Sequence, residues 1–421
     1  MAATKTTFDS ALKEDYQPLV RDQINQDIPI LTYVEKNTKD VVGRRAVLSI
    51  HVTRSSGVGS RAEGGTLPTA GNQGYAEERV LMYHHYGRGQ LSGPLMRAAD
   101  SDKGAFERAM DGETKRLVED LKRDLNRQVW GTGDGIIAQA ALTTSSLQVF
   151  LANSASGATV DTSDVQFRQL EVGMLVDIGT VAAPTLKTSG NAIVSTGGSG
   201  TSASPYYIEL TSVATTTGTD YIFRSGNGGG PGTTGADQKE VTGLQLIVDS
   251  TGTLFNINPT TYPVWTAVEN GNSGTNRSIS ENLMATVVQD IQIAGGKFPN
   301  LAVCHHGVQR AYANLLLGLK RFPNTVSLKG GYSAGIPFMG GGGQEIPVVV
   351  DRDCPAHSMY FLNTQHLTEY MQSDWEFMQE DGSVLSRVSG VDAYEFILFK
   401  YMELATDKRN AHGKLVDITH A

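Results

Sequence analysis

SDKGAFERAMDGETKRLVEDLKRDLNRQVWG, residues 101–131, is the stretch around which the rest of the chain falls into place. Phe106, Met110, Leu117, Leu121, Leu125 and Val129 recur at four- and seven-residue steps. That sets them on one stripe of an α-helix, with Ala109, Thr114 and Val118 at its margin. Opposite charges stand four apart on the other faces: Asp111 with Lys115, Arg116 with Asp120, Glu119 with Arg123. Each pair adds only a few tenths of a kcal/mol, yet together they favour a helix exposed along one side. Ser101 or Asp102 suits the N-cap, and Gly131 and Gly133 suit the stop. At 1.5 Å per residue the rod is ~43 Å long, and Gly112 offers a place to bend.

The chain around this helix has 421 residues, 39% of them hydrophobic, enough for two or three domains. A formal net charge of −9 and the lack of any Lys/Arg-rich run argue against a surface that grips nucleic acid. Two cysteines, Cys304 and Cys354, do not make a disulfide framework, and a reducing compartment suits them. Residues 1–16 lack the apolar core of a signal peptide. No apolar run reaches ~18 residues, so no membrane span is predicted.

Upstream of the helix, residues 1–40 read as a polar arm with sparse apolar anchors, Phe8 and Leu12 among them, broken by Pro18 and Pro29. A short strand is predicted at Leu31–Val34. In 46–53, Ala46, Leu48, Ile50 and Val52 face one way and Ser49, His51 and Thr53 the other, which reads as a strand; 77–86 reads as its partner. Between them, RSSGVGSRAEGGTLPTAGNQGYA (54–76) is polar and Gly-rich, the tip of a long hairpin that is marginal alone. GRGQLSGPLM, 87–96, leads into the helix. Arm and hairpin both lack a local core, which predicts burial against neighbouring subunits.

Downstream, 136–235 turns to Ser, Thr, Gly and Ala. Short strands are predicted at 147–151, 174–178, 192–195, 206–210 and 220–223, the spacing of a small β-barrel or sandwich inserted over 145–225. The run 225–237 reads as a linker. GLQLIVD, 243–249, is a buried-strand candidate. Ser278 and Glu281 have capping-box spacing before a helix that buries Met284, Val287, Val288 and Ile291. Strand 301–305 precedes a second helix with Val308, Ala311, Tyr312, Leu315 and Leu319 inward. Strand 346–351 follows, then antiparallel strands from 359 onward, and a turn and a final short strand at the end.

Motifs for chemistry are thin. Gly331-Tyr332-Ser333-Ala334-Gly335 matches the nucleophile-elbow pattern, but Pro337 opposes the helix that must follow Ser333. His84-His85 and Cys304-His305-His306 read as strand stretches, where neighbours face opposite ways, and Asp351, Asp353, Cys354 and His357 fit no metal-ligand spacing. Gly340–Gly343 lacks a following Lys-Ser/Thr, so no phosphate cradle is predicted. No catalytic residue, metal or cofactor is implied.

The order of parts resembles the major capsid protein of tailed bacteriophages, the Hong Kong 97-type fold. GRGQLSGPLM before the helix, RDLNRQVWGTG at its end, VTGLQLIVDSTG opening the next domain and FKYMELATDKRNAHGKLVDI near the end carry the likeness. It implies an α+β chain: N-terminal arm, 1–40; extended loop, 41–92; peripheral domain with its spine helix, 93–135; β-rich insertion and linker, 136–240; axial α/β domain, 241–355; return strands of the peripheral domain and C-terminal strand, 356–421. It also implies a structural subunit that self-assembles into pentamers and hexamers of an icosahedral head around double-stranded DNA, without sequence-specific binding. The location is the virion capsid, assembled in the host bacterial cytoplasm, with a scaffold protein, a portal and decoration proteins as partners. The chain begins almost at the arm, so a separate scaffold protein is expected. Some relatives cross-link through a loop Lys; here no Lys stands between Asp40 and Asp102. Arg54, Arg61, Phe8 and Leu12 are the candidate inter-subunit contacts. An encapsulin-type compartment shares the fold and is the alternative shell. A serine hydrolase using Ser333 is the alternative of another class.

Overall fold

The computed structural model describes residues 30–43, 45–94, 103–152, 164–180, 186–200, 204–227, 239–316, 336–339, 345–379 and 384–419. Phe8, Leu12, Ser101, Asp102, Leu319, Ser333 and Gly340–Gly343 lie outside these residues, as do the side chains of Phe106 and Met110. In chain order the elements are β1 (Glu35–Asn37), β2 (Val41–Val42), β3 (Arg45–Thr53), β4 (Gly74–Leu81), β5 (Tyr83–Ser92), α1 (Lys103–Val129), β6 (Ile136–Gln139) and β7 (Thr143–Phe150). Then come α2 (Asp164–Arg168), β8 (Leu175–Thr180), β9 (Leu186–Gly197), β10 (Tyr207–Thr216), β11 (Asp220–Arg224), α3 (Leu244–Ile247), β12 (Val268–Asn270) and α4 (Glu281–Gly295). The last are β13 (Leu301–Cys304), α5 (His306–Leu316), β14 (Ile336–Met339), β15 (Glu345–Val350), β16 (Met359–Leu362), β17 (Leu367–Phe377), β18 (Ser386–Arg387), β19 (Ala393–Thr406) and β20 (Gly413–Leu415).

The first sheet is built on β19, which pairs antiparallel with β17, β5 and the short β18, while β1 adds parallel to β17. The long helix α1 lies against β5. The contact is close because Gly87 carries no side chain: a Cβ there would stand 2.5 Å from Leu121 Cδ1. The 77–86 strand read from the sequence is two strands that part at Met82. Its first half stays in the hairpin ribbon of β2, β3 and β4, and its second half continues through Ser92 into the first sheet. The expected lead 87–96 is therefore mostly strand, and the short strand expected at Leu31–Val34 is a 3-10 turn followed by β1.

The second sheet, ordered β12-β20-β16-β13-β15-β14, is covered on both faces. Leu301, Val303, Tyr360 and Leu362 pack into one core with Val129, Trp130, Leu244, Ile247 and Trp265. Ala302, Cys304, Met359 and Phe361 pack into another with Met284, Val287, Val288 and Ile291 of α4. Two buried faces explain the unbroken apolar runs of β13 and β16. Strand β16 thus belongs here, although the sequence reading placed 359 onward in one antiparallel sheet with β17 and β19. The helix α4 is capped by Ser280, whose hydroxyl accepts from the Leu283 amide at 3.2 Å, and not by Ser278. On α5, Val308 and Tyr312 are buried but Leu315 is 41% exposed. GLQLIVD is not a strand: Leu244–Ile247 is a single helical turn, with Leu244 and Ile247 fully buried.

The third sheet runs β6-β11-β8-β9-β10-β7, and a bridge between Ala140 and Leu151 joins its first and last strands, so the sheet closes on itself. Its interior holds Ile137, Val149, Val176, Ile178, Ile193, Ile208, Leu210 and Ile222. The closed unit starts at β6, upstream of the expected 145.

Candidate functional site

Since the arm and hairpin predict burial against neighbouring subunits, the candidate site is a set of surfaces and the joints that hold them. The ribbon of β3 and β4 alternates cleanly. Ala46, Glu78 and Val80 are buried against the body, while Val47, His51, Tyr75, Glu77 and Arg79 face outward. At its base, Ala46 and Val80 pack with Met82, Tyr370 and Ala405, so the hairpin is docked on its own subunit there. Beyond Thr53 the tip leaves the body. Ser55 Oγ donates to the Gly71 carbonyl at 2.9 Å, the Ser55 amide donates to Gln73 Oε1 at 3.2 Å, and His51 Nε2 lies 2.7 Å from the same oxygen. These bonds zip the two sides together. Val58 is 66% exposed and Leu67 81% exposed. Arg61 folds back and donates to the carbonyls of Thr66 and Ser60 at 3.0 and 2.9 Å, bracing the tip. Arg54 is exposed at the root of the tip.

The other surface element is α1. Among its striped residues Leu117 and Leu121 are half-buried, while Leu125 and Val129 are buried. The last turn departs from the one-sided picture, because Asn126, Arg127, Gln128 and Trp130 are buried too. Three parts of the molecule converge on it. Arg127 makes a two-pronged pair with Glu240 at 2.7 and 3.0 Å, and also reaches Asp124. Burial opposes its charge, but Glu240 and Asp124 outweigh that and hold the guanidinium protonated. Burial likewise opposes the Asp124 carboxylate, but Arg127 and Arg224 hold it below the usual range. Arg123 reaches Glu171 next to α2, and Arg116 pairs with Glu113. Asn126 donates to both Asp351 and Asp353, at 3.1 and 2.6 Å. Burial, reinforced by the Asp353 charge, pushes the Asp351 carboxyl up to about 6. Between helix and barrel lies a cleft of about 360 Å³ lined by Arg123, Asp124, Glu171, Arg224 and Arg352.

A second joint was missed entirely by sequence reasoning. Arg409 is fully buried and donates to five carbonyls, of Leu246, Ile247, Thr251, Gly252 and Trp265, at 2.8–3.4 Å. It satisfies the carbonyls left unpaired at the end of the α3 turn and in the loop after it. Burial lowers its guanidinium to about 10. An Arg in a turn after a strand reads as a surface residue, so no signal in the sequence marked it.

The candidates for chemistry are scattered. His84 is exposed on the outer face of the first sheet among Tyr86 and Tyr401, while His85 is buried on the opposite face. Cys304 and Cys354 are fully buried, and burial pushes the Cys304 thiol up to about 12. His305 lies 3.0 Å from the Arg168 guanidinium and His357 contacts the Ile418 carbonyl at 2.8 Å. Among the described residues no three His, Cys, Asp or Glu side chains converge as metal ligands. No described helix is long and apolar enough to cross a membrane.

The fold has solved counterparts. A chain of the cyanophage A-1(L) capsid asymmetric unit superposes with a TM-score of 0.60 at 14% identity, over 99% of this chain and 100% of that one. The capsid of an empty GTA particle gives 0.49 at 9% identity, over 99% of each chain. The SrpI encapsulin of Synechococcus elongatus gives 0.48 at 7% identity, over 99% of this chain and 96% of that one. No protein with a curated functional description matches the sequence. Residues 2–419 match the family described as SU10 major capsid protein. The fold is that of a phage capsid subunit and the family match runs along nearly the whole length, so this chain belongs to the SU10 major capsid protein family.

Proposed function

We propose that copies of this subunit form the pentamers and hexamers of an icosahedral phage head around double-stranded DNA, and that the hairpin tip is the part that grips a neighbour. The first sheet with α1 is the peripheral domain, the two-faced second sheet the axial domain, the ribbon the extended loop and the closed β unit the insertion. The observation that carries the tip's role is its exposure. A zipped, Arg-braced loop holds Val58 and Leu67 away from the subunit's own core. Arg54 and Arg61 pair with acidic groups across the boundary, and Phe8 and Leu12 of the arm bury against the same neighbours. One such ion pair is worth only ~0–1 kcal/mol, but a shell repeats it many times over. A scaffold protein, a portal and decoration proteins complete the particle.

The test is deletion of 57–72 with Asn-Gly closing the ribbon. The subunit's circular dichroism and melting should stay within error of the parent, because the buried base is untouched. Electron microscopy should show shells lost or deformed. Normal particles of equal stability would sink the tip's role.

A further inference from the structure

The seam between the ribbon and the body contains a group that does not belong in an apolar seam. Glu78 stands on the inward face of β4, opposite Leu48 of β3, with Ala46, Val80, Met82, Tyr370, Ala405 and Phe255 around it. Its side chain is fully buried, and neither carboxyl oxygen has a hydrogen-bonding partner among the described residues. The groups that face it do not compensate a negative charge. From β17 comes Tyr370. From the turn after β19 comes Asp407, itself paired with His366 at 2.9 Å, and Asp40 lies near Tyr370. On its own strand, Glu77 and Arg79 point outward and pair with each other at 2.9 Å.

We propose that Glu78 is a proton-operated latch: the ribbon lies docked on its own subunit only while this carboxyl is protonated, and loss of the proton releases the ribbon as a unit. The physical basis is the cost of an unpaired carboxylate in an apolar seam, which is far larger than that of the neutral acid. Burial, with Asp407 adding to it, pushes the Glu78 carboxyl from its ordinary 4.5 up to about 9. The sign follows. The docked ribbon holds a proton that the undocked ribbon releases. Docking is therefore strongest below 4.5 and weakens continuously as the pH rises toward about 9. The hinge is short. Met82 joins the ribbon to β5, and residues 38–40 join it to β1 at its other root. The latch concerns one subunit and stands whether or not the tip contacts a neighbour.

The experiment uses the full chain, unassembled, with Ala46→Cys placing a reporter thiol in the seam. The labelling rate of that thiol by a small reagent, divided by that of an unstructured peptide at the same pH, gives the opening constant of the ribbon. The native Cys304, buried in the second sheet, reports opening of the whole molecule. Between pH 6 and 8 the opening constant at the seam thiol should rise about tenfold per pH unit. Cys304 should label far more slowly. In Glu78→Gln the rise should be lost. Glu78→Met, which fills the same space without a polar group, should also lose the rise and open less often. The latch is wrong if the parent shows no slope, if Glu78→Gln keeps the parent's slope, or if the seam thiol and Cys304 label together. A Gln variant that fails to fold leaves the Met variant and the parent's own slope to decide.

Discussion

Among single residues, the segment from Thr406 to His412 packs four polar side chains where water does not reach. Thr406, Arg409, Asn410 and His412 are all buried. His412 accepts a hydrogen bond from the Asn363 amide on Nδ1 at 3.2 Å, so its proton sits on Nε2 and points to Thr406 Oγ at 3.0 Å. A second proton on Nδ1 would set one donor against another. Burial lowers the imidazole to about 3. The folded chain therefore binds fewer protons here than the unfolded chain below 6.5, and this contribution to stability is present above 6.5 and lost as the pH falls toward about 3. His412→Gln should be less stable than the parent at pH 7. By pH 5 the gap should narrow by up to ~2 kcal/mol, read from urea unfolding at the two pH values. A constant gap would mean that His412 is not held neutral. Neither Arg409 nor His412 could be picked from the sequence, because the same letters in DKRNAH describe an exposed turn equally well. What separates the cases is the presence of five carbonyls and one amide brought from segments more than 45 residues away.

Among elements, a strong period survives and a short apolar run does not. The stripe on α1 spans many turns, so its period of 3.6 identifies both the helix and its inner face. Leu125→Ala should cost ~2–5 kcal/mol, as truncation of a buried leucine does. Lys122→Ala, on the exposed side, should stay within about 0.5 kcal/mol. Denaturant melts of the two variants check this, and equal shifts would place the stripe on the wrong face. GLQLIVD is a short run, and a buried strand and a buried helical turn look alike at that length. Its neighbours decide. Gly243 lies so close to the last turn of α1 that a Cβ there would stand 2.2 Å from the Gly131 carbonyl oxygen, and Arg409 covers the other end of the turn. The break at Met82 was hidden for a related reason. Residues 80–83 are an unbroken apolar run that hides it, and the boundary shows only where the inward face passes from Glu78, Val80 and Met82 to Tyr83 and His85 and the partner changes from β3 to β19.

Across the full subunit, the inserted β unit tests how far the parts are separate. Its strands close only when β6 joins β11 and Ala140 meets Leu151. A fragment of 134–227 should therefore melt cooperatively and give dispersed amide signals. A fragment of 145–225, which lacks β6, should do neither, because an open edge would expose the unpaired amides of β11 and its apolar interior. Equal folding of both fragments would show that closure is dispensable. In the full chain this unit is held at a set angle by Arg123 with Glu171 and by Arg224 with Asp124, on the same helix turn that Asn126 ties to the second sheet. One turn of α1 thus registers three parts of the subunit against each other.

The long helix and its apolar face, the ribbon with its polar tip, the β-rich insertion and the order of parts that points to a capsid subunit were all legible in the amino-acid letters. Those are properties of periodicity and composition, which a chain carries locally. Where the ribbon ends, which sheet receives β16 and β20, where the insertion closes and which charges are interior became visible in three dimensions alone. Glu78, Arg127 and Arg409 look like surface residues in one dimension. Their burial comes from partners far along the chain, and the energy of a buried charge depends on those partners and not on the letter that carries it.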